Sequence, residues 1–188
     1  EDNADAFIEK TINVNMNELY AQFLALLPNE SLILDAGCGS GRDSKAFLSK
    51  GFKVEAIDAS REMVKRASEL TGLDVQLKRF DQVNKKKYYD AIWSCASLLH
   101  VPHCELVDIM NKLCTSLKPG GVWYLSFKYG TEQREKDGRL FVDMDEDSFS
   151  KVIKPISNLN IKEIWTTTDS RPDRDERWLN IILTKMAR

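Results

Sequence analysis

Short apolar segments alternate with amphipathic segments along most of this chain, and this alternation restricts the possible folds more than any other feature. Five strand-like segments occur, within residues 31–36, 52–58, 73–80, 88–99 and 122–127. The segments between them carry apolar side chains at helical spacing, with stop residues such as Gly51 and Gly72 at their ends. Parallel strands need crossover connections, which are usually helices. The alternation therefore predicts a parallel sheet covered by helices.

The last part of the chain has no helix between its strands. Residues 159–165 and 177–186 are both strand-like, and a short polar segment joins them. Adjacent strands without a crossover helix pair antiparallel. The sequence therefore predicts a doubly wound α/β fold that is mostly parallel and ends in an antiparallel hairpin. Residues 129–143 are polar and are interpreted as a loop.

Three glycines occupy alternate positions directly after the first strand, in the segment ILDAGCGSG. At Gly37, Gly39 and Gly41 the backbone can approach a ligand closely, because no Cβ intrudes, and the next helix presents its free N–H groups there. Asp58 ends the second strand, where a carboxylate can accept hydrogen bonds from ribose hydroxyls. The pattern predicts a nucleoside-containing ligand. It differs from the dinucleotide fingerprint, because its third glycine comes one residue early.

At these positions the chain resembles the class I S-adenosylmethionine-dependent methyltransferases, and the resemblance covers nearly its whole length. ILDAGCGSG is similar to their first motif, VEAID to the second, YDAIWSCASLLHVP to the fourth, and LKPGGVWYLSF to the strand region that follows. The resemblance implies a Rossmann-like, seven-stranded sheet whose last strand lies antiparallel between its neighbours. It is strongest to small stand-alone bacterial members, loosely labelled tellurite-resistance-like or ubiquinone-biosynthesis-like. We expect one domain over residues 1–188, with residues 1–30 as an N-terminal helical cap.

The resemblance also implies which residues bind the S-adenosylmethionine cofactor and its product S-adenosylhomocysteine. Asp35 would orient the glycine loop, Asp58 would hold the ribose, and Cys95 would lie close to the sulfonium. Arg79 departs from the family pattern, since many relatives carry an acidic residue there. The full set of implied cofactor-binding residues is Asp35, Gly37, Cys38, Gly39, Gly41, Arg42, Asp43, Asp58, Ala59, Met63, Phe80, Asp81, Ser94 and Cys95.

Methyl transfer to an activated carbon requires an aligned acceptor, and it requires a base only where the acceptor must lose a proton. His100 follows the fourth strand at the rim where an acceptor would enter, so it is the candidate base; capping of the following helix is the alternative. We expect the N-terminal region, the segment 129–143 and the hairpin loop 168–177 to cover the acceptor. The candidate acceptor-binding residues are Lys128, Tyr129, Arg171 and Arg174. A solvated loop held by its own ion pairs is the alternative for the two arginines.

Composition restricts the partners of the chain. The formal net charge is −2 over 188 residues, which argues against bulk binding to nucleic acid or to an anionic membrane. No apolar run approaches the roughly 20 residues of a transmembrane helix. The four cysteines and two histidines show no zinc spacing. We therefore expect no metal, a cytoplasmic location and a small-molecule acceptor, with the oligomeric state undetermined.

Three other functions fit parts of the pattern. The first is a tRNA or protein methyltransferase, which a basic surface around the pocket would favour. The second is a non-catalytic module that binds S-adenosylmethionine, which an acceptor pocket blocked by aromatic side chains would favour. A nicotinamide-dependent oxidoreductase is the third, and both the glycine spacing and the terminal hairpin argue against it.

Overall fold

The computed structural model describes residues 14–136, 138–169 and 175–187. The helices are α1 (Asn17–Leu24), α2 (Arg42–Ser49), α3 (Arg61–Thr71), α4 (His103–Ser116) and α5 (Glu146–Ile153). The strands are β1 (Leu32–Ala36), β2 (Lys53–Asp58), β3 (Gln76–Leu77), β4 (Tyr89–Ser94), β5 (Leu117–Lys128), β6 (Gln133–Lys136), β7 (Arg139–Val142), β8 (Leu159–Thr168) and β9 (Arg177–Lys185). Short 3₁₀ turns cover Phe80–Gln82 and Leu98–His100.

Seven strands of the described chain form one sheet in the order β3-β2-β1-β4-β5-β9-β8. The first five strands are mutually parallel, and β9 runs antiparallel between β5 and β8. The predicted Rossmann-like sheet with an antiparallel C-terminal strand is therefore confirmed. Strand order reverses between β1 and β4. A doubly wound sheet binds its ligand at such a switch point, outside the carboxyl ends of the strands.

Two apolar layers cover the sheet, because successive strand residues point to opposite faces. Trp123 of β5 faces α4 and α5, while the adjacent Tyr124 faces α1 and α2. Trp93 and Trp123 are fully buried in these layers.

Two helices begin at residues whose side chains cap them. Ser60 accepts a hydrogen bond from the Met63 amide at 3.4 Å, and Asp145 accepts one from the Ser148 amide at 2.8 Å. Each bond satisfies one of the N–H groups that a helix start leaves unpaired.

Three local predictions were wrong. Residues 133–142, interpreted as loop, form the β6–β7 hairpin, which has its own two-stranded sheet. The third strand is only Gln76–Leu77, because the chain then turns into the 3₁₀ turn at Phe80. The fifth strand, predicted within residues 122–127, begins earlier, because β5 also includes the preceding KPGG segment, where the pairing with β4 is irregular between Tyr89 and Ala91.

Candidate active site

One large cavity of about 830 Å³ opens at the carboxyl ends of β1, β2, β4 and β5. Its first wall is formed by the loop after β1, the end of β2 and the segment 78–81. Its second wall is formed by α1, the start of β7 and the mouth of the β8–β9 hairpin. The cavity therefore lies where the strand order predicts a ligand site, and it extends well beyond the glycine loop.

The glycine loop both packs against other parts of the chain and lines the cavity. Gly37 has φ +85°, and a Cβ added there would lie 2.5 Å from the Ser97 Cβ. Gly41 also has positive φ, and a Cβ there would lie 3.0 Å from Ala67 of α3. Gly37 and Gly39 line the cavity, while Gly41 lies outside its wall. At least two of the three glycines are therefore needed for backbone conformation and close packing.

Asp58 is positioned by two backbone amides at the cavity wall. One carboxylate oxygen accepts from the Gly39 amide at 2.9 Å, and the other accepts from the Ser60 amide at 2.8 Å. A carboxylate oxygen can accept more than one hydrogen bond, so both oxygens keep acceptor capacity toward a ligand. The side chain thus links the glycine loop to the start of α3.

Asp43 is the centre of a buried polar cluster. Its carboxylate accepts hydrogen bonds from Tyr20 at 2.5 Å, from Arg42 at 2.6 Å and from Trp93 at 2.8 Å. Burial alone would raise the pKa of this carboxyl, but the Arg42 charge and these three hydrogen bonds together lower it. Asp43 therefore remains ionised, and Tyr20 attaches α1 to the first turn of α2. Both Arg42 and Asp43 line the cavity.

Asp35 lies behind this cluster and outside the cavity wall, buried among apolar neighbours. The Ser44 hydroxyl donates to it at 2.6 Å. Burial, reinforced by the Asp43 charge, raises the pKa of the Asp35 carboxyl to about 8. Asp35 and Asp43 thus form a closely coupled pair in which only Asp43 is ionised at neutral pH.

Four more of the residues implied to bind the cofactor line the first wall of the cavity. Ala59, Met63, Phe80 and Asp81 lie together along one side of the cavity. Arg79, which departs from the family pattern, pairs with Asp81 at 2.8 Å and keeps the Asp81 pKa lowered.

At the end of β4, the cysteine lines the cavity but the neighbouring serine does not. Cys38 and Cys95 line the cavity, whereas Ser94 is fully buried and accepts from the Trp123 indole at 3.0 Å. Burial raises the pKa of Cys95 to about 12 and also raises the pKa of Cys38. Both thiols are therefore protonated at neutral pH and carry no thiolate nucleophile.

His100 lines the cavity beside the β6–β7 hairpin. Its Nδ1 lies 2.7 Å from the Leu140 carbonyl oxygen. A carbonyl can only accept, so Nδ1 carries the proton and Nε2 keeps its lone pair in the neutral ring. His100 keeps exposed surface, yet packing in this recess desolvates the ring and lowers its pKa. The neutral imidazole is the form that can accept a proton.

The prediction of acceptor-binding residues was less successful than the prediction of cofactor-binding residues. Lys128 forms an ion pair with Glu176 at 2.5 Å, and Tyr129 donates to Glu146 at 3.0 Å; neither lines the cavity. Arg171 and Arg174 lie outside the described residues.

Several cavity residues escaped the sequence analysis. Asn180 accepts from the Tyr124 hydroxyl at 2.7 Å and donates to Thr167 at 3.0 Å. The Trp178 indole donates to Asp169 at 3.1 Å. A polar Asn within the apolar run of β9 was an available signal, since a buried amide needs partners. Other cavity residues that the sequence analysis did not name individually include Met16, Leu19, Arg139, Leu140 and Thr168, which lie in the three segments predicted to cover the acceptor.

Comparison with known proteins identifies the class of fold. A family model described as a methyltransferase domain matches residues 33–121. The structure of the Burkholderia thailandensis 1,6-didemethyltoxoflavin-N1-methyltransferase, solved with 1,6-didemethyltoxoflavin and S-adenosylhomocysteine bound, superposes with a TM-score of 0.81 at 19% identity. That match covers 98% of this chain and 83% of the other. The predicted resemblance is confirmed: the chain has the class I S-adenosylmethionine-dependent methyltransferase fold.

Two curated relatives have higher sequence identity to the chain but are longer proteins. The 2-methyl-6-phytyl-1,4-hydroquinone methyltransferase of Synechocystis sp. is 34% identical over 105 residues, which cover 53% of this chain and 32% of the relative. The ubiquinone biosynthesis O-methyltransferase of Rickettsia prowazekii is 28% identical over 156 residues, with coverages of 70% and 60%. The chain thus spans a third to three fifths of the length of these two relatives. Within the described residues, every helix is too short or too polar to cross a membrane.

Proposed function

We propose that this chain transfers a methyl group from S-adenosylmethionine to a small-molecule acceptor and leaves S-adenosylhomocysteine as product. One observation carries the proposal: a single cavity runs from the glycine loop and Asp58 to the His100 imidazole. The three relatives described above are each named for methylation in small-molecule chemistry. An acceptor pocket blocked by aromatic side chains would favour a non-catalytic binding module, whereas this cavity continues from the glycine loop to His100 and supports catalysis.

The residues of the first wall fit the proposed cofactor. The acidic groups Asp43, Asp58 and Asp81 suit a ligand that carries an ammonium and a sulfonium charge. Asp58 has acceptor capacity for the ribose hydroxyls, and Gly39 leaves the backbone bare beside it. When bound, S-adenosylmethionine supplies a methyl group on a positively charged sulfur. The protonated Cys38 and Cys95 thiols do not compete for that group.

The residues of the second wall would hold the acceptor. His100 would take the acceptor's proton at Nε2, in a position set by the Leu140 carbonyl. Met16 and Leu19 contribute an apolar side that excludes water from the reacting groups. We propose that the N-terminal segment acts as a cap in a single domain, with α1 attached through the Tyr20–Asp43 hydrogen bond; residues 1–13 of the predicted cap 1–30 lie outside the described residues. The four unpaired cysteines suit the reducing cytoplasm, which is our proposed location.

Thermal shift with S-adenosylmethionine, S-adenosylhomocysteine and NAD tests the cofactor assignment. A ligand that binds only the native state raises Tm with the logarithm of its excess over Kd. We expect both adenosyl compounds to stabilise the protein, and Asp58→Asn to weaken their binding about tenfold or more through loss of charged hydrogen bonds. Asp108→Asn, an exposed substitution on α4, is the matched control.

Detection of S-adenosylhomocysteine in the presence of a metabolite extract then tests catalysis. We expect turnover in the low-molecular-mass fraction, and His100→Gln should reduce it most at low pH for acceptors that must lose a proton. Stabilisation by NAD alone would contradict the proposal. Turnover only with tRNA or protein would show that the acceptor is a macromolecule and would contradict the proposed small-molecule acceptor.

A further inference from the structure

The β6–β7 hairpin brings two chemically different groups to the cavity beside His100. Leu140 contributes its carbonyl oxygen, and the adjacent Arg139 contributes a guanidinium side chain. Both residues line the cavity at the start of β7. The hairpin therefore belongs to the wall of the site, rather than forming a separate surface feature.

Packing fixes the orientation of the His100 ring. Phe141 contacts the imidazole edge-to-face with ring centroids 4.9 Å apart, next to the hydrogen bond from Nδ1 to Leu140. Lys128 lies 5.1 Å and Arg134 lies 5.8 Å from the Phe141 ring centroid, so Phe141 is itself held by two cations. Arg134 also pairs with the nearly buried Asp143. A ring held in this way presents Nε2 in one direction.

Three charged groups from different elements act on His100. Arg139 on β7 and Lys128 at the end of β5 oppose its protonation, while Asp58 at the end of β2 favours it. Lys128 lies off the cavity wall, whereas Arg139 lines the cavity. Of these two cations, Arg139 is therefore the one that a bound molecule would meet. A neutral imidazole beside a guanidinium suits a molecule that loses a proton and becomes an anion.

We infer that Arg139 is a specificity-determining residue that binds the ionised atom of the acceptor beside His100, so that the acceptor is a molecule with an acidic O–H or ring N–H. The inference rests on the proposed function and narrows it to a class of acceptor. An Arg guanidinium forms strong charge-assisted hydrogen bonds to such anions and keeps its charge at every working pH.

The proposed step balances in protons and electrons. The acceptor's proton passes to Nε2 of His100, and Arg139 stabilises the anion that remains. A lone pair of that anion forms the new bond to the methyl carbon as the carbon–sulfur bond breaks, and that bonding pair stays on sulfur. The His100 imidazolium then returns its proton to water, which restores the neutral ring.

The test uses 4-nitrophenol as a coloured probe and measures binding rather than turnover. The protein is first saturated with S-adenosylhomocysteine, and probe binding is followed by absorbance below the pH at which the free phenol ionises. We expect the bound probe to show the absorbance of its anion. Arg139→Gln should weaken binding about tenfold or more, and Arg139→Lys should keep much of it.

The matched control is Lys136→Gln, which removes a positive charge directly opposite Arg139 in the same hairpin. NMR titration gives a second readout, because His100 and His103 are the two histidines of the chain and His103 serves as an internal reference. Arg139→Gln should raise the pKa of His100, whereas Lys136→Gln and Arg139→Lys should leave it close to the wild-type value.

The outcomes separate the two proposals. If S-adenosylhomocysteine fails to stabilise the protein, the proposed function itself is wrong. If it stabilises the protein but 4-nitrophenol does not bind, binds in its neutral form, or binds equally well to Arg139→Gln, then only the role of Arg139 is overturned.

Discussion

Replacing Asp35 by Asn should remove a pH dependence of the free energy of unfolding that arises from the Asp35 carboxyl at the end of β1. The folded-state pKa of this carboxyl is raised to about 8 from an ordinary value of 3.8, chiefly by burial. Below the unfolded-state pKa, Asp35 is protonated in both states and does not weaken folding. As the pH rises from about 4 to about 8, the unfolded chain releases the proton first, so the free energy of unfolding falls.

The magnitude follows from that difference in pKa. Each pKa unit corresponds to about 1.4 kcal/mol, so the full effect above pH 8 is at most roughly 6 kcal/mol. An Asn amide keeps an acceptor for the Ser44 hydroxyl but introduces buried N–H groups, which cost about 1–3 kcal/mol if they remain unpaired. We therefore expect Asp35→Asn to be less stable than wild type at pH 4 and more stable by up to about 3–5 kcal/mol at pH 9.

Urea unfolding of the ligand-free protein at a series of pH values measures this directly. The stability curves of wild type and Asp35→Asn should cross between pH 4 and pH 9. Asp108→Asn, on the exposed face of α4, should give a curve parallel to wild type. Parallel curves for Asp35→Asn as well would refute the reasoning, because they would mean that Asp35 titrates alike in the folded and unfolded chain.

Two further substitutions test the packing of the site. Gly37→Ala should destabilise the fold by clearly more than Gly51→Ala. Both glycines have φ +85°, a conformation that costs alanine about 1–2 kcal/mol. Only at Gly37, however, would the new Cβ lie 2.5 Å from the Ser97 Cβ. Equal losses in urea unfolding would show that the loop can move away. Tyr20→Phe should lower stability by about 1.5–3 kcal/mol at pH 7, since the Asp43 carboxylate loses a buried donor. Tyr88→Phe removes an exposed bond of 3.1 Å to Glu55 and should change stability by well under 1 kcal/mol; a similar loss in both would contradict the assigned role of Tyr20.

The hairpin at residues 133–142 marks where interpretation of the sequence fell short. Polar residues dominate this segment, and its two short strands bury little surface, so periodicity gave a weak signal. The dipeptide Asp137-Gly138 was the available signal, since Asp-Gly pairs favour tight hairpin turns. The same omission hid Arg139 and Leu140, which lie in that hairpin.

Local features of the chain determined the alternation of strands and helices, the helix caps at Ser60 and Asp145, and the carboxylate at the end of β2. Such features depend on residues a few positions apart, so apolar spacing and capping chemistry are sufficient to predict them. Only the tertiary structure decided that Asp43 joins Tyr20 and Trp93, that Ser97 requires Gly37, and that Leu140 sets the proton position on His100. Each of these contacts joins residues 23 to 60 positions apart, and it exists because the sheet and its two helical layers bring them together. The second wall of the cavity therefore depends on the packing of distant segments. The glycine loop, in contrast, can be recognised from a few consecutive residues.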